Sequence, residues 1–139
     1  MSQTEGSNSR KCILAVDDTA IVLYRISEAL RDEYEIITVN SGTRALKYLK
    51  EEKPDLILLD IQMASMDGIE TLHQIRMMPD RKDIPVIMLT GVENKSTVLE
   101  SAKLGICDYM LKPFSSEELI RRIERVFEQE KKKQREAKS

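Results

Sequence analysis

Leu56-Ile57-Leu58-Leu59-Asp60 decides the fold: four consecutive apolar residues stop at a carboxylate, with the helix-breaking Pro54 just ahead of them. A run this short and this uniformly apolar reads as a strand buried on both faces, the kind found in parallel sheets covered by helices. The same signature appears in Cys12-Ile13-Leu14-Ala15-Val16, which ends at Asp17-Asp18, and in the strand-like run from Ile84 to Leu89, which ends at Thr90-Gly91. The β-branched Glu35-Ile36-Ile37-Thr38-Val39 and the short Tyr109-Met110-Leu111 complete a set of five strands.

Helical periodicity fills the intervals. Ile21, Val22, Ile26, Ala29 and Leu30 recur near 3.6 residues between Ala20 and Asp32, with Asp18 or Thr19 placed to cap. Ser41 can cap a helix that turns Ala45, Leu46 and Leu49 inward, and Asp67-Gly68 opens another through Ile69, Leu72 and Ile75. Ser96 to Leu104 is expected to face Val98, Leu99 and Ala102 inward, with Gly105 as terminator. Ser115 and Glu118 have capping-box spacing and start a last helix packed through Leu119, Ile120, Ile123, Val126 and Phe127. Beyond Phe127 that helix has no apolar partner and is expected to continue as a solvated extension or to fray. Five strand-helix units with buried strands imply an α/β domain, a single (βα)5 doubly wound parallel sheet.

The 139 residues, 41% hydrophobic and 33% charged, suit one globular domain. Residues 1–10 are polar and read as a disordered leader, 11–128 as the folded domain, and 129–139 as a charged tail or linker. The whole chain carries −2, and its last nine residues, five bases against Glu136, carry +4, so the rest carries −6. An acidic body argues against nucleic acid as a partner. No apolar run approaches the roughly 18 residues of a membrane span, and the polar start has no secretory core, so a cytoplasmic address with no membrane association is expected. Cys12 and Cys107 are too few for a disulfide framework or metal cluster and are expected to be reduced and buried.

Chemistry concentrates where the strands end. In open α/β sheets ligands sit beyond the carboxyl ends of the strands, and those ends carry Asp17-Asp18, Asp60, Thr90 and Lys112. Two carboxylates about 4 Å apart repel by on the order of 4 kcal/mol at an effective dielectric near 20, so a cation belongs among them. An oxygen-only donor set favours a hard divalent ion such as Mg²⁺ over Zn²⁺, and with it a phosphoryl-transfer site. Each acid alone could equally be a helix cap or a solvated loop residue, and Thr90 or Tyr109 alone an ordinary strand residue. Only their joint placement with Lys112 points to chemistry.

These landmarks, with Asp67-Gly68 and Lys112-Pro113-Phe114, resemble the receiver domain of bacterial two-component response regulators, of the stand-alone, chemotaxis-regulator kind. The resemblance implies a flavodoxin-like fold with strand order 2-1-3-4-5, the order already documented for a chemotaxis receiver. It implies that Asp60 is the phosphoacceptor for a group carried by a sensor histidine kinase or a histidine phosphotransfer protein. It places Mg²⁺ on Asp17, Asp18, Asp60 and the backbone carbonyl of Gln62, with Lys112 and Thr90 at the phosphoryl group and Thr90 with Tyr109 as the switch. It further implies a cis Lys112-Pro113 bond and an effector surface on the fourth helix, fifth strand and fifth helix. In that family the positions of Gln62 and Val92 tune the hydrolytic water. The only catalysis implied is of the domain's own phosphorylation and dephosphorylation, and monomer and phosphorylation-dependent dimer are both compatible. The strand order would hold Cys12 and Cys107 about 14 Å apart, beyond disulfide reach.

One departure is Ala64, where many members carry proline, which implies a looser loop after Asp60. Competing readings are a receiver-like module that works without phosphorylation and a Mg²⁺-dependent aspartyl-phosphate phosphatase. Phosphatases of that kind resemble an Asp-x-Asp pattern after the first strand, whereas Asp17 and Asp18 are adjacent. His73, the only histidine, reads as structural.

Overall fold

The structure is a computed structural model that describes residues 10–64, 66–91 and 95–138, without the side chains of 95–98 and 138. Most of the expected leader and Val92 lie outside the described residues. Five strands, β1 (Cys12–Val16), β2 (Glu35–Val39), β3 (Leu56–Asp60), β4 (Val86–Thr90) and β5 (Asp108–Leu111), form one parallel sheet in the order β2-β1-β3-β4-β5. The helices between and after them are α1 (Ala20–Leu30), α2 (Gly42–Glu51), α3 (Gly68–Arg76), α4 (Lys95–Lys103) and α5 (Ser116–Lys138).

Strand alternation divides the core into two layers. Ile13, Ala15, Leu56, Leu58, Ile87 and Leu89 meet Ile26 and Leu30 of α1 and Leu119, Ile123 and Val126 of α5. Leu14, Val16, Ile57, Leu59, Val86 and Met88 point the other way, onto Ala45 and Leu49 of α2 and Leu72 and Ile75 of α3. All five residues of β3 and all five of β4 are buried, as their continuous apolar runs require. Asp67 and Ser41 cap their helices as expected, accepting from Glu70 N and Arg44 N, and Ser115 Oγ accepts from Glu118 N.

Four expectations need correction. Thr19 occupies the N-cap of α1 without a side-chain cap bond, and its own amide donates to Asp17 Oδ1 at 2.9 Å. In α4 two residues expected to face inward turn out: Leu99 is 64% exposed and Ala102 exposed, while Ser101 is buried and Leu104, just past the helix, packs on the sheet; the Val98 side chain lies outside the described residues. Cys107 is exposed, because it lies in the turn before β5 rather than within it, and Cys12 is half-buried; both are free thiols. Arg10 is held to the fold, its guanidinium donating to the carbonyls of Arg31 and Tyr34. Beyond Phe127, α5 remains helical to Lys138 with residues 131–137 exposed.

Candidate functional site

Two strands deliver the site's acids to one edge of the sheet. Asp60 ends β3, and Asp17 follows β1 at once, its amide still bonded to Val39 O of β2 at 3.2 Å. Because β1 and β3 are neighbours, Asp17, Asp18 and Asp60 converge, with one carboxylate oxygen from each lying within 4.8 Å of the others. Their environments differ: Asp17 is fully buried, Asp60 is 2% exposed, and Asp18 is open to solvent.

Lys112 reaches the pair of buried acids from the far side. Its amide is tied to Thr90 O at 2.7 Å, and the bond to Pro113 is cis, as the resemblance implies. Its Nζ stands 2.7 Å from Asp17 Oδ2 and 3.2 Å from Asp60 Oδ1. Three carboxylates and one ammonium leave a local charge of −2, which one divalent cation would neutralise. The donors are all oxygen, and among the described residues this is the cluster of acids placed to hold a metal ion. These residues therefore fit a hard divalent cation.

The electrostatics carry the imprint of that crowding. Burial, and then the charge of Asp17, push the Asp60 carboxyl up to about 6, against the opposing effects of Lys112 and of the Gln62 amide, which donates to Asp60 Oδ1. Burial works to lower the Lys112 ammonium, but its bonds to Asp17 and the charge of Asp60 outweigh it and leave the pKa raised. Asp60 is thus a carboxylate at neutral pH, though held less firmly ionised than an ordinary aspartate.

Thr90 and Tyr109 approach from the other face of the sheet. Asp60 continues the alternation of Leu56 and Leu58, toward α1 and α5, whereas Thr90 continues that of Val86 and Met88, and half-buried Tyr109 packs in their layer. Thr90 is 3% exposed at the end of β4. Asp17, Asp60 and Lys112 therefore share one layer, and the threonine and tyrosine the other.

The loop after Asp60 is closed at its base, where Gly68 N donates to Ile61 O at 2.8 Å. A Cβ on Gly68 would come within 2.1 Å of Asp60 O, so no side chain fits there without moving the end of β3. In sequence Asp67-Gly68 signals a helix start and a family landmark, and neither reveals this close approach to the end of β3. Ala64, expected to loosen the loop, donates its N–H to Asp18 Oδ2 at 3.0 Å, a bond proline cannot make. Beside the loop lies an open cleft of about 740 Å³ whose charged lining among the described residues, Asp18, Asp67, Glu70 and Glu100, is acidic. His73 is exposed on α3, away from this lining.

Comparison with known proteins places the architecture. The alkaline phosphatase synthesis transcriptional regulatory protein PhoP of Bacillus subtilis is 38% identical over 117 residues, 84% of this chain and 48% of that protein. The chain spans about half the length of the curated relatives it first matches. Among solved structures, chemotaxis protein CheY4 of Vibrio cholerae superposes with a TM-score of 0.81 at 31% identity, covering 85% of this chain and 99% of that one. A CheY-like receiver domain protein from Methanospirillum hungatei gives 0.84 at 26% identity, covering 90% and 99%. Residues 13–124, from the second residue of β1 into the packed part of α5, match the family model described as the response regulator receiver domain, and the chain belongs to that family of two-component signalling proteins.

Proposed function

We propose that the chain is a phosphorylation-switched module in which Asp60 accepts the phosphoryl group of a phosphohistidine on a sensor kinase or histidine phosphotransfer protein. An Asp60 oxygen attacks phosphorus, and the O–P bond forms as the P–N bond breaks. The ring nitrogen keeps the bonding pair, so a histidine protonated on its other nitrogen leaves as neutral imidazole. Asp17, Asp18, Asp60 and the Gln62 carbonyl would hold Mg²⁺, which supplies neutralisation of the phosphoryl oxygens. Lys112 then trades its contact with Asp60 for a phosphoryl oxygen while keeping Asp17. Thr90 turns its hydroxyl to the new group, Tyr109 follows it inward, and the surface of α4, β5 and α5 changes for a downstream protein. The domain catalyses only its own phosphorylation and dephosphorylation, works in the cytoplasm as a monomer or a phosphorylation-dependent dimer, and comprises residues 11–128, with 129–139 as tail or linker.

The observation that supports this reading above the others is Lys112 Nζ within 3.2 Å of both buried aspartates, in a cluster short of two positive charges. The test is the intact mass of wild type and Asp60→Asn after incubation with a small acyl phosphate, with Mg²⁺ and with chelator. One phosphoryl adduct that needs both Asp60 and Mg²⁺ is expected. A folded, Mg²⁺-binding wild type that takes none would overturn the proposal in favour of a module that binds its partner unmodified.

A further inference from the structure

At the edge of the sheet opposite the acids, Arg76 ends α3 and points its guanidinium into the main chain. Nε donates to Leu104 O at 2.7 Å, Nη1 to Lys82 O at 2.8 Å and Ile84 O at 3.0 Å, and Nη2 to Gly105 O at 2.9 Å. Four of the five guanidinium donors are spent on carbonyls. Ile84 lies two residues before β4, and Leu104 and Gly105 follow α4 at once, with Gly105 at φ 77°. One side chain therefore ties the entrance of β4 and the exit of α4 to the end of α3. Cys107 N, bonded to Val86 O at 2.9 Å, closes the same corner.

The opposite end of this β4–α4 unit is the one that carries Thr90, in the sheet layer shared with Tyr109, α2 and α3. From this arrangement we infer that Arg76 is a positioning residue for the switch. It clamps the distal end of the β4–α4 unit, so that a displacement begun at Thr90 pivots the unit about Leu104 and Gly105 instead of shifting it bodily. The inference rests on the reading of Asp60 as phosphoacceptor and adds how its signal is kept directional. A shift at one end of a packed unit whose far end is tied becomes a rotation about the tie. Lysine is not an equivalent clamp, because a single ammonium cannot span four carbonyls held by two separate segments.

The test is amide chemical-shift mapping of the ¹⁵N-labelled full chain, without and with Mg²⁺ and beryllofluoride, a mimic of the acyl phosphate, in wild type, Arg76→Lys and Arg76→Met. In wild type the shifts at Thr90 and Gly91 should be at least fourfold those at Ile84, Leu104 and Gly105. In Arg76→Lys, with Asp60 still taking its adduct, the ligand-induced shifts at Leu104 and Gly105 should rise at least threefold. Should Arg76→Met fail to fold, the lysine variant alone decides. Equal shifts at both ends in wild type, or a lysine variant with the wild-type pattern, would overturn the clamp while leaving the phosphoacceptor reading intact. A wild type with neither shifts nor an adduct on Asp60 would end both.

Discussion

At the N-terminal edge of the sheet, Arg10, Arg76 and Arg81 each donate to main-chain carbonyls where helices end, Arg81 holding Leu49 O at 2.8 Å and Glu52 O at 3.1 Å after α2. At the C-terminal edge, charged side chains face one another: Asp17, Asp18 and Asp60 around Lys112. Arginines on carbonyls satisfy groups that helix termini leave open and ask for nothing more. Carboxylates crowded around a single ammonium leave a charge deficit that stays with the folded state until a cation or a phosphoryl group changes the balance. One edge fastens the chain, and the other holds it with charge unbalanced.

Variants at each edge should separate these roles. The largest effect is expected from Lys112→Met, which leaves two buried carboxylates with no cation. We expect a loss of about 3–5 kcal/mol in metal-free urea unfolding at pH 7, partly recovered with Mg²⁺. A loss below 1 kcal/mol would break the comparison at its centre.

Next is Asp60→Asn, which should stabilise the metal-free protein. The folded pKa of about 6 lies above the unfolded value of 3.8, so between these pH values the folded state binds more protons. Stability from this group is present below pH 4 and is lost as pH rises through 6. The asparagine variant should therefore gain on the order of 2–3 kcal/mol over wild type at pH 7 and show a flatter profile between pH 4 and 6. Urea melts in chelator across that range measure both.

At the opposite edge, Arg81→Ala should cost about 2 kcal/mol through the two carbonyls it abandons, with no change in pH profile and none in the extent of phosphoryl adduct by intact mass. A coupled loss of adduct would show that the two edges are not separate. The smallest effect is expected at Ser115→Ala, about 1 kcal/mol from the lost cap of α5, read from the thermal midpoint.

The reacting edge was the more legible in sequence. Asp17, Asp18, Asp60, Thr90 and Lys112 each stand where a recognisable strand stops, and parallel strands of an open sheet end on one side, so reading the strands located the site. What distinguishes Asp17 from Asp18 was not legible: adjacent acids look alike in sequence, and only the turn after β1 buries one and exposes the other. The fastening edge was almost invisible. Arg76 meets Leu104 across 28 residues, and Arg81 meets Leu49 across 32, with no local spacing to announce either contact. The inward placement of Leu99 and Ala102 in α4 fails for a related reason. Its short apolar stripe is weak, and its orientation follows Leu104, just past its end, which packs against the sheet beside the Arg76 clamp.

Ala64 gives the loop after β3 a property of its own. Its amide rests on Asp18, the one carboxylate of the cluster that faces solvent, so one oxygen of that carboxylate already serves as a mooring for the backbone. The loop and the acid cluster are therefore lashed to each other at the solvent side, and any ion that drew on that oxygen would re-rig the loop as well. A chain with proline at position 64 would lack the lashing.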